Sequence, residues 1–141
     1  MVDLTHQVPI SAPAARVYAA IATAEGNRGW WTADSAVDAR VGGQAEFGFE
    51  KRAVVFHMRV DRLSPGAQIV MSCTGGQGEW QGTTLSWSIE SDGRQSTVRF
   101  THGGWKELTD YCASCNSTWG RLMYRLKDYV ESGKANPQWT E

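Results

Sequence analysis

Three cysteines and three histidines are all that this 141-residue chain carries of those types. An odd number of cysteines makes a poor disulfide framework and suits a reducing compartment. Cys112-Ala113-Ser114-Cys115 has the C-x-x-C spacing, but a redox pair of that kind opens a helix after a strand in a βαβ setting. Here it falls inside an expected helix, and the scattered histidines do not complete a zinc site. No metal, cofactor or disulfide is therefore expected. Excess charge is also lacking: 14 Lys and Arg face 15 Asp and Glu, for a net charge of −1. That argues against a general nucleic-acid binder. No stretch approaches the ~20 apolar residues of a membrane span. Met1-Val2-Asp3-Leu4 has neither a basic region nor an apolar signal core. The expectation is one domain over residues 1–141, located in the cytoplasm.

Tryptophan is what the chain has in plenty. Its seven indoles are Trp30, Trp31, Trp80, Trp87, Trp105, Trp119 and Trp139. Each is bulky and carries an N–H that wants a partner when buried. A small domain must pack such side chains tightly or use them to line a pocket.

The hydrophobic pattern starts with period two. Leu4, His6, Val8 and Ile10 alternate with polar neighbours and read as a strand. Ser11 is placed to cap a helix over 14–22, with Pro13 in its first turn and Val17, Tyr18 and Ile21 on one face. Glu25 to Gly29 should stop that helix, and a short helix or turn carries Trp30 and Trp31. A strand ladder follows. Ser35 to Asp38 is weak, and a Gly42-Gly43 turn leads into Ala45, Phe47 and Phe49. A turn at Lys51-Arg52 precedes Val54, Phe56, Met58 and Val60. Ser64-Pro65-Gly66 leads to Ile69, Met71 and Cys73, and Gly75 to Gly78 is a loop. Leu85, Trp87 and Ile89 pair through Ser91-Asp92-Gly93 with Val98, Phe100 and His102.

Gly103-Gly104 should end the last strand. From about Lys106 to Ser132 the period becomes helical, with Leu108, Cys112, Cys115, Trp119, Leu122, Leu126 and Tyr129 or Val130 on one stripe. Gly133 caps it and Pro137 blocks continuation. Such a helix is roughly 40 Å long. It is the only element able to cover the apolar face of the sheet. The expected class is α+β: an antiparallel sheet of six to seven strands curved around a long C-terminal helix, with two short helices after the first strand.

Several motifs then resemble a known family. Ile10-Ser11-Ala12-Pro13 before Val17-Tyr18, Trp30-Trp31, and Gly42-Gly43 ahead of Phe47 resemble the front half of the START-like SRPBCC superfamily, whose fold is the helix-grip. The branch is that of homologues of the activator of heat-shock protein 90 ATPase. Thr101-His102-Gly103-Gly104-Trp105 resembles its strand-to-helix junction. Cys115 to Trp119 and Leu126 to Lys134 resemble its C-terminal helix. Tyr18 departs from the pattern, since tryptophan is commoner there. The resemblance covers nearly the whole chain. It implies architecture shared with lipid carriers, polyketide cyclases and other ligand-binding proteins, and a possible chaperone partner.

The strand and helix phases place Phe47, Phe49, Phe56, Met58, Met71, Trp87, Phe100 and His102 on the inner face. The helix adds Tyr111, Cys115, Trp119 and Met123, and the flanks add Trp30, Trp31 and Trp105. A ligand site of this type is mostly apolar with a few placed polar groups, but the same residues can equally fill a solid core. His102 has two open roles: a hydrogen-bonding or proton-shuttling group in a pocket, or a structural histidine bonded to the helix or a loop. Trp119 is expected to be a pocket wall. Glu46, Glu50, Asp61 and Glu90 fall on the outward phase, no Ser-His-Asp order is visible, and Gly42-Gly43 lacks the residues of a phosphate loop. Three functions stay open: binding of a small apolar or amphipathic molecule, a chaperone co-regulator, and a cyclase-like enzyme using His102 or Tyr111 as proton donor. Either a monomer or a homodimer suits these readings.

Overall fold

The structure is a computed structural model that describes residues 1–76 and 78–141. Gln77, within the expected 75–78 loop, lies outside the described residues. The chain runs β1 (Val2–Ile10), α1 (Ala14–Ala22), α2 (Ala24–Trp30), β2 (Asp34–Val37), β3 (Gln44–Phe49), β4 (Val54–Ser64), β5 (Gln68–Gly75), a 3₁₀ turn (Gly78–Trp80), β6 (Thr84–Ser91), β7 (Ser96–Trp105) and α3 (Asp110–Ser132). The seven strands form one antiparallel sheet in the order β1-β7-β6-β5-β4-β3-β2. One face is apolar and covered, as the alternation in Phe56, Met58 and Val60 requires. This is the expected helix-grip arrangement.

Four local expectations need correction. The N-cap of α1 is Pro13, without a side-chain cap; the Ser11 N–H instead donates to Glu131 Oε2 at 2.8 Å. Residues 25–29 do not stop a helix, because α2 runs through them. The break is at Thr23, which is extended and whose hydroxyl accepts from Gly26 N. Gly26 is required because a Cβ there would lie 2.5 Å from Ala20 Cα on α1. The strand does not end at Gly103-Gly104. The β1–β7 register shifts between Val2 and Leu4, so the glycines form a bulge and β7 continues to Trp105. Gly104 takes φ +85° there, and its N–H donates to Asp3 Oδ1 at 3.0 Å.

The long helix also begins later than Lys106. Thr109 is the N-cap and its hydroxyl accepts from Cys112 N at 3.1 Å. Leu108 therefore precedes the helix and is exposed. At 23 residues, α3 is about 34 Å long. Its stripe of Cys112, Trp119, Leu122, Met123, Leu126 and Val130 is buried. It ends at Gly133 in the left-handed conformation, φ 75°. Residues 134–141 then turn back along α2: Asn136 N donates to Gly29 O at 2.9 Å, and Trp139 N to Trp31 O at 3.1 Å. Thr32 and Trp139 form a parallel bridge.

Candidate functional site: a ring-lined cavity under the long helix

The backbone of α3 comes closest to β1, α1 and α2. Opposite its first half, the β3–β4 hairpin and the 3₁₀ turn stand further off. The gap is a cavity of about 240 Å³. Its sheet side is Phe49, Val54 and Phe56, with Trp80 from the 3₁₀ turn. Trp31 and Trp139 close one flank, and Tyr111, Ser114, Cys115, Thr118, Trp119 and Leu122 of α3 form the roof. Exposed Glu50 and Ser114 mark the mouth.

The walls are locked rings. Phe56 and Trp80 stack at 3.9 Å between centroids, with planes 12° apart. Trp31 stacks on Phe47 at 4.2 Å and lies 5.2 Å from Trp119. Phe49 and Trp139 meet edge-to-face at 4.8 Å. Such pairs add to the stability gained from burial alone and leave rings little freedom to turn. The β3–β4 turn at the mouth is unusual. Glu50, Lys51 and Arg52 all have positive φ, at 52°, 56° and 66°, a conformation that costs L-residues roughly 1–2 kcal/mol each. Arg52 bonds Asp34 at 2.8 Å and Glu46 at 3.3 Å, which holds the turn on the outer face.

His102 is fully buried and lies behind the wall. Trp119 Nε1–H donates to its Nδ1 at 3.0 Å, so the ring proton sits on Nε2. That nitrogen donates to Thr83 Oγ1 at 2.8 Å, and the Thr83 hydroxyl donates to Trp80 O at 2.5 Å. Burial lowers the His102 pKa to about 3. The imidazole is therefore neutral, and both of its nitrogens are engaged. It ties the helix wall to the turn wall.

Two titratable groups of the roof, Cys115 and Tyr111, keep their protons at neutral pH. Burial pushes the Cys115 thiol up, and burial together with the nearby Cys115 pushes the Tyr111 hydroxyl up as well. Cys112 is fully buried, its pKa also raised by burial. Of the two cysteines of the C-x-x-C spacing, Cys115 lines the cavity and Cys112 does not, and all three cysteines are free. Among the described residues no group of three or more His, Cys, Asp or Glu is placed to hold a metal ion, and no helix is long and apolar enough to cross a membrane.

Of the residues singled out from the sequence, Trp31, Phe49, Phe56, Tyr111, Cys115 and Trp119 come together on the cavity. Trp30, Phe47, Met58, Met71, Trp87, Phe100, His102, Trp105 and Met123 are buried but lie off its lining. Trp30 donates to Ala20 O at 2.9 Å, and Trp87 packs on Phe100 at 4.1 Å. Sequence reasoning did not place Trp80, Trp139, Val54, Leu122, Ser114, Thr118 or Glu50 at the site. Leu122 had a signal in the helical stripe, but Trp80 and Trp139 lie in non-periodic segments.

A curved antiparallel sheet gripping a C-terminal helix, with a cavity between them, defines a helix-grip protein of the START-like SRPBCC superfamily. Within it, residues 11–131 match the sequence model of the Activator of Hsp90 ATPase homolog 1-like protein family, and the chain belongs to that family. It is similar to the Aha1 dimer of Colwellia psychrerythraea, solved in solution, with 34% identity and a TM-score of 0.85 over 95% of this chain and 99% of that one. DynU16, from the dynemicin biosynthetic locus, shares the fold at 18% identity and a TM-score of 0.79, over 94% of this chain and 48% of that one. CV1439 of Chromobacterium violaceum shares it at 21% identity and a TM-score of 0.74, over 93% and 99%. No match was found among curated proteins. The fold is one that commonly binds ligands or acts in the manner of polyketide cyclases.

Proposed function

We propose that this protein binds a small apolar or amphipathic molecule in the cavity between its sheet and the first half of α3. The observation that carries this reading is the cavity of about 240 Å³ walled by Trp31, Phe49, Phe56, Trp80 and Trp119. Drug-sized ligands fill roughly 300–1,000 Å³. This site therefore suits a one- or two-ring compound, or one end of a longer lipid-like molecule. Binding fits better than turnover, because the raised pKa of Tyr111 makes it a weak acid and that of Cys115 keeps it from being a thiolate nucleophile, and His102 is spent on Trp119 and Thr83. Glu50 stands in water at the mouth.

The test is a titration with anilinonaphthalene sulfonate, in the wild type and in Thr118→Trp. Thr118 is half-buried on the roof, and an indole there fills the cavity. Saturable binding by the wild type and none by a folded Thr118→Trp protein is the expected result. Equal binding by both places the probe elsewhere and removes the reading. A second reading, co-regulation of a chaperone ATPase, is favoured by the 34% identity to the Aha1 dimer protein. Stimulation of a heat-shock protein 90 ATPase that Thr118→Trp leaves unchanged would support it over the first.

A further inference from the structure

Among the described residues, one buried side-chain polar atom on the cavity wall has no hydrogen-bond partner. Trp80 is 5% exposed, it lines the cavity, and its indole Nε1–H makes no hydrogen bond among the described residues. Buried N–H groups are nearly always paired, and one left alone is costly. Trp119 on the same wall bonds His102, and Trp30 behind it bonds Ala20 O, while the wall indoles Trp31 and Trp139 are not among the buried unpaired groups. Trp105 is also unpaired, but it is not on the cavity wall.

The Trp80 ring is fixed. The Thr83 hydroxyl holds its carbonyl at 2.5 Å, and Phe56 stacks on its face at 3.9 Å. Its N–H faces the Cys115 thiol and the Tyr111 hydroxyl closely enough to offset part of the burial-driven rise in both pKa values, but neither contact has hydrogen-bond geometry. Sulfur is a weak acceptor. Tyr111 is 42% exposed, on the first turn of α3. Tyr111 also keeps its proton, so it supplies a second donor next to the first.

We propose that the cavity takes a flat aromatic compound bearing a neutral carbonyl oxygen, and that Trp80 Nε1–H and the Tyr111 hydroxyl donate to that oxygen. The inference rests on the cavity-binding reading and gives it a ligand class. Rings are selected because the walls are stacked rings. An oxygen acceptor is selected because the unpaired group is a donor. The oxygen is uncharged because Glu79 lies close enough to Tyr111 and Cys115 to raise both pKa values, and Glu50 stands at the mouth. Their negative charge disfavours a carboxylate or phosphate.

The experiment compares indane with 1-indanone, the same skeleton with and without the carbonyl. Their affinities are measured by calorimetry for the wild type and for Trp80→Phe, which keeps a ring and loses the N–H. The indanone-to-indane affinity ratio should fall about three- to ten-fold in Trp80→Phe, the range a single neutral hydrogen bond covers. An unchanged ratio with both probes still bound overturns the acceptor assignment and leaves the cavity reading standing. Failure of both probes to bind the wild type overturns both. If Trp80→Phe does not fold, the Trp80 indole proton in the wild-type NMR spectrum decides. It should move downfield with 1-indanone and not with indane, and an unmoved resonance overturns the proposal.

Discussion

Acid should destabilise this protein through His102 well before the carboxylates titrate. The folded state holds this imidazole neutral, with a pKa lowered from 6.5 to about 3 by burial. The unfolded chain titrates it at its ordinary value, near 6.5. Between pH 6.5 and about 3 the unfolded state therefore binds a proton that the folded state refuses. Stability falls as pH falls through that window, by up to about 1.4 kcal/mol per pH unit. Between pH 7 and pH 5 the loss attributable to His102 is about 2 kcal/mol, a large share of the ~5–15 kcal/mol of a typical domain. The structural reason is direct, since a protonated Nδ1 cannot accept from Trp119 Nε1–H. His102→Asn is the informative variant, because its Oδ1 can take the place of Nδ1 and it does not titrate. Urea denaturation at pH 7, 6 and 5 should show the wild type losing about 2 kcal/mol more than His102→Asn over that range. Parallel curves for the two proteins would refute the buried neutral imidazole. A stability loss of less than ~1 kcal/mol in His102→Ala would refute the hydrogen-bonded chain, because that variant orphans the Trp119 donor.

Trp119→Ala should cost the roughly 3–5 kcal/mol of a packed tryptophan and also widen the range of probes bound. Trp119 touches Phe100 at 4.3 Å on one side and the cavity on the other. Denaturation with a parallel probe titration checks both effects. Gly26→Ala should lose about 1–3 kcal/mol or more, because the new Cβ meets the α1 backbone at Ala20; thermal melts read this directly. Lys51→Gly should raise stability by about 0.5–1 kcal/mol, since glycine tolerates the φ of 56° in the middle of the strained mouth turn. A drop in melting temperature would show that the turn is held by the Lys51 side chain.

The ladder of strands was legible because alternation reports which face a side chain takes. Phase alone does not report how far away the facing element stands. Phe47 and Phe49 share one phase on β3, yet Phe47 stacks against Trp31 while Phe49 reaches the cavity. The distance depends on where α3 lies against β1, α1 and α2, which no local pattern encodes. Trp80 and Trp139 were invisible for a different reason. One sits in a 3₁₀ turn and the other in a tail held by backbone bonds to Gly29 and Trp31, and neither segment has a period to read. The start of α3 was placed too early because Lys106-Glu107-Leu108 suits a helix, whereas the Thr109 cap decides the boundary. Gly103-Gly104 has the same appearance in sequence whether it ends a strand or bulges it. The pairing of Val2 with Trp105 and of Leu4 with His102, and the Gly104 N–H bond to the Asp3 carboxylate, make it a bulge.

A cavity beside a core is useful only if its walls neither collapse inward nor drift apart. Here one wall is a helix and the other a short turn, elements with no backbone ladder between them. The series Trp119, His102, Thr83, Trp80 O bridges them with directional bonds of 3.0, 2.8 and 2.5 Å. An apolar contact in this place would set a minimum separation but not a maximum, whereas hydrogen bonds set both. The strut works only while its imidazole can accept at Nδ1 and donate at Nε2, which is the neutral form. Burial enforces that form down to a pH of about 3. The stability loss expected in mild acid and the persistence of the strut over the same range therefore have one cause. An imidazole that titrated freely would spare the fold the acid penalty. It would also release Trp119, and with it the roof of the cavity.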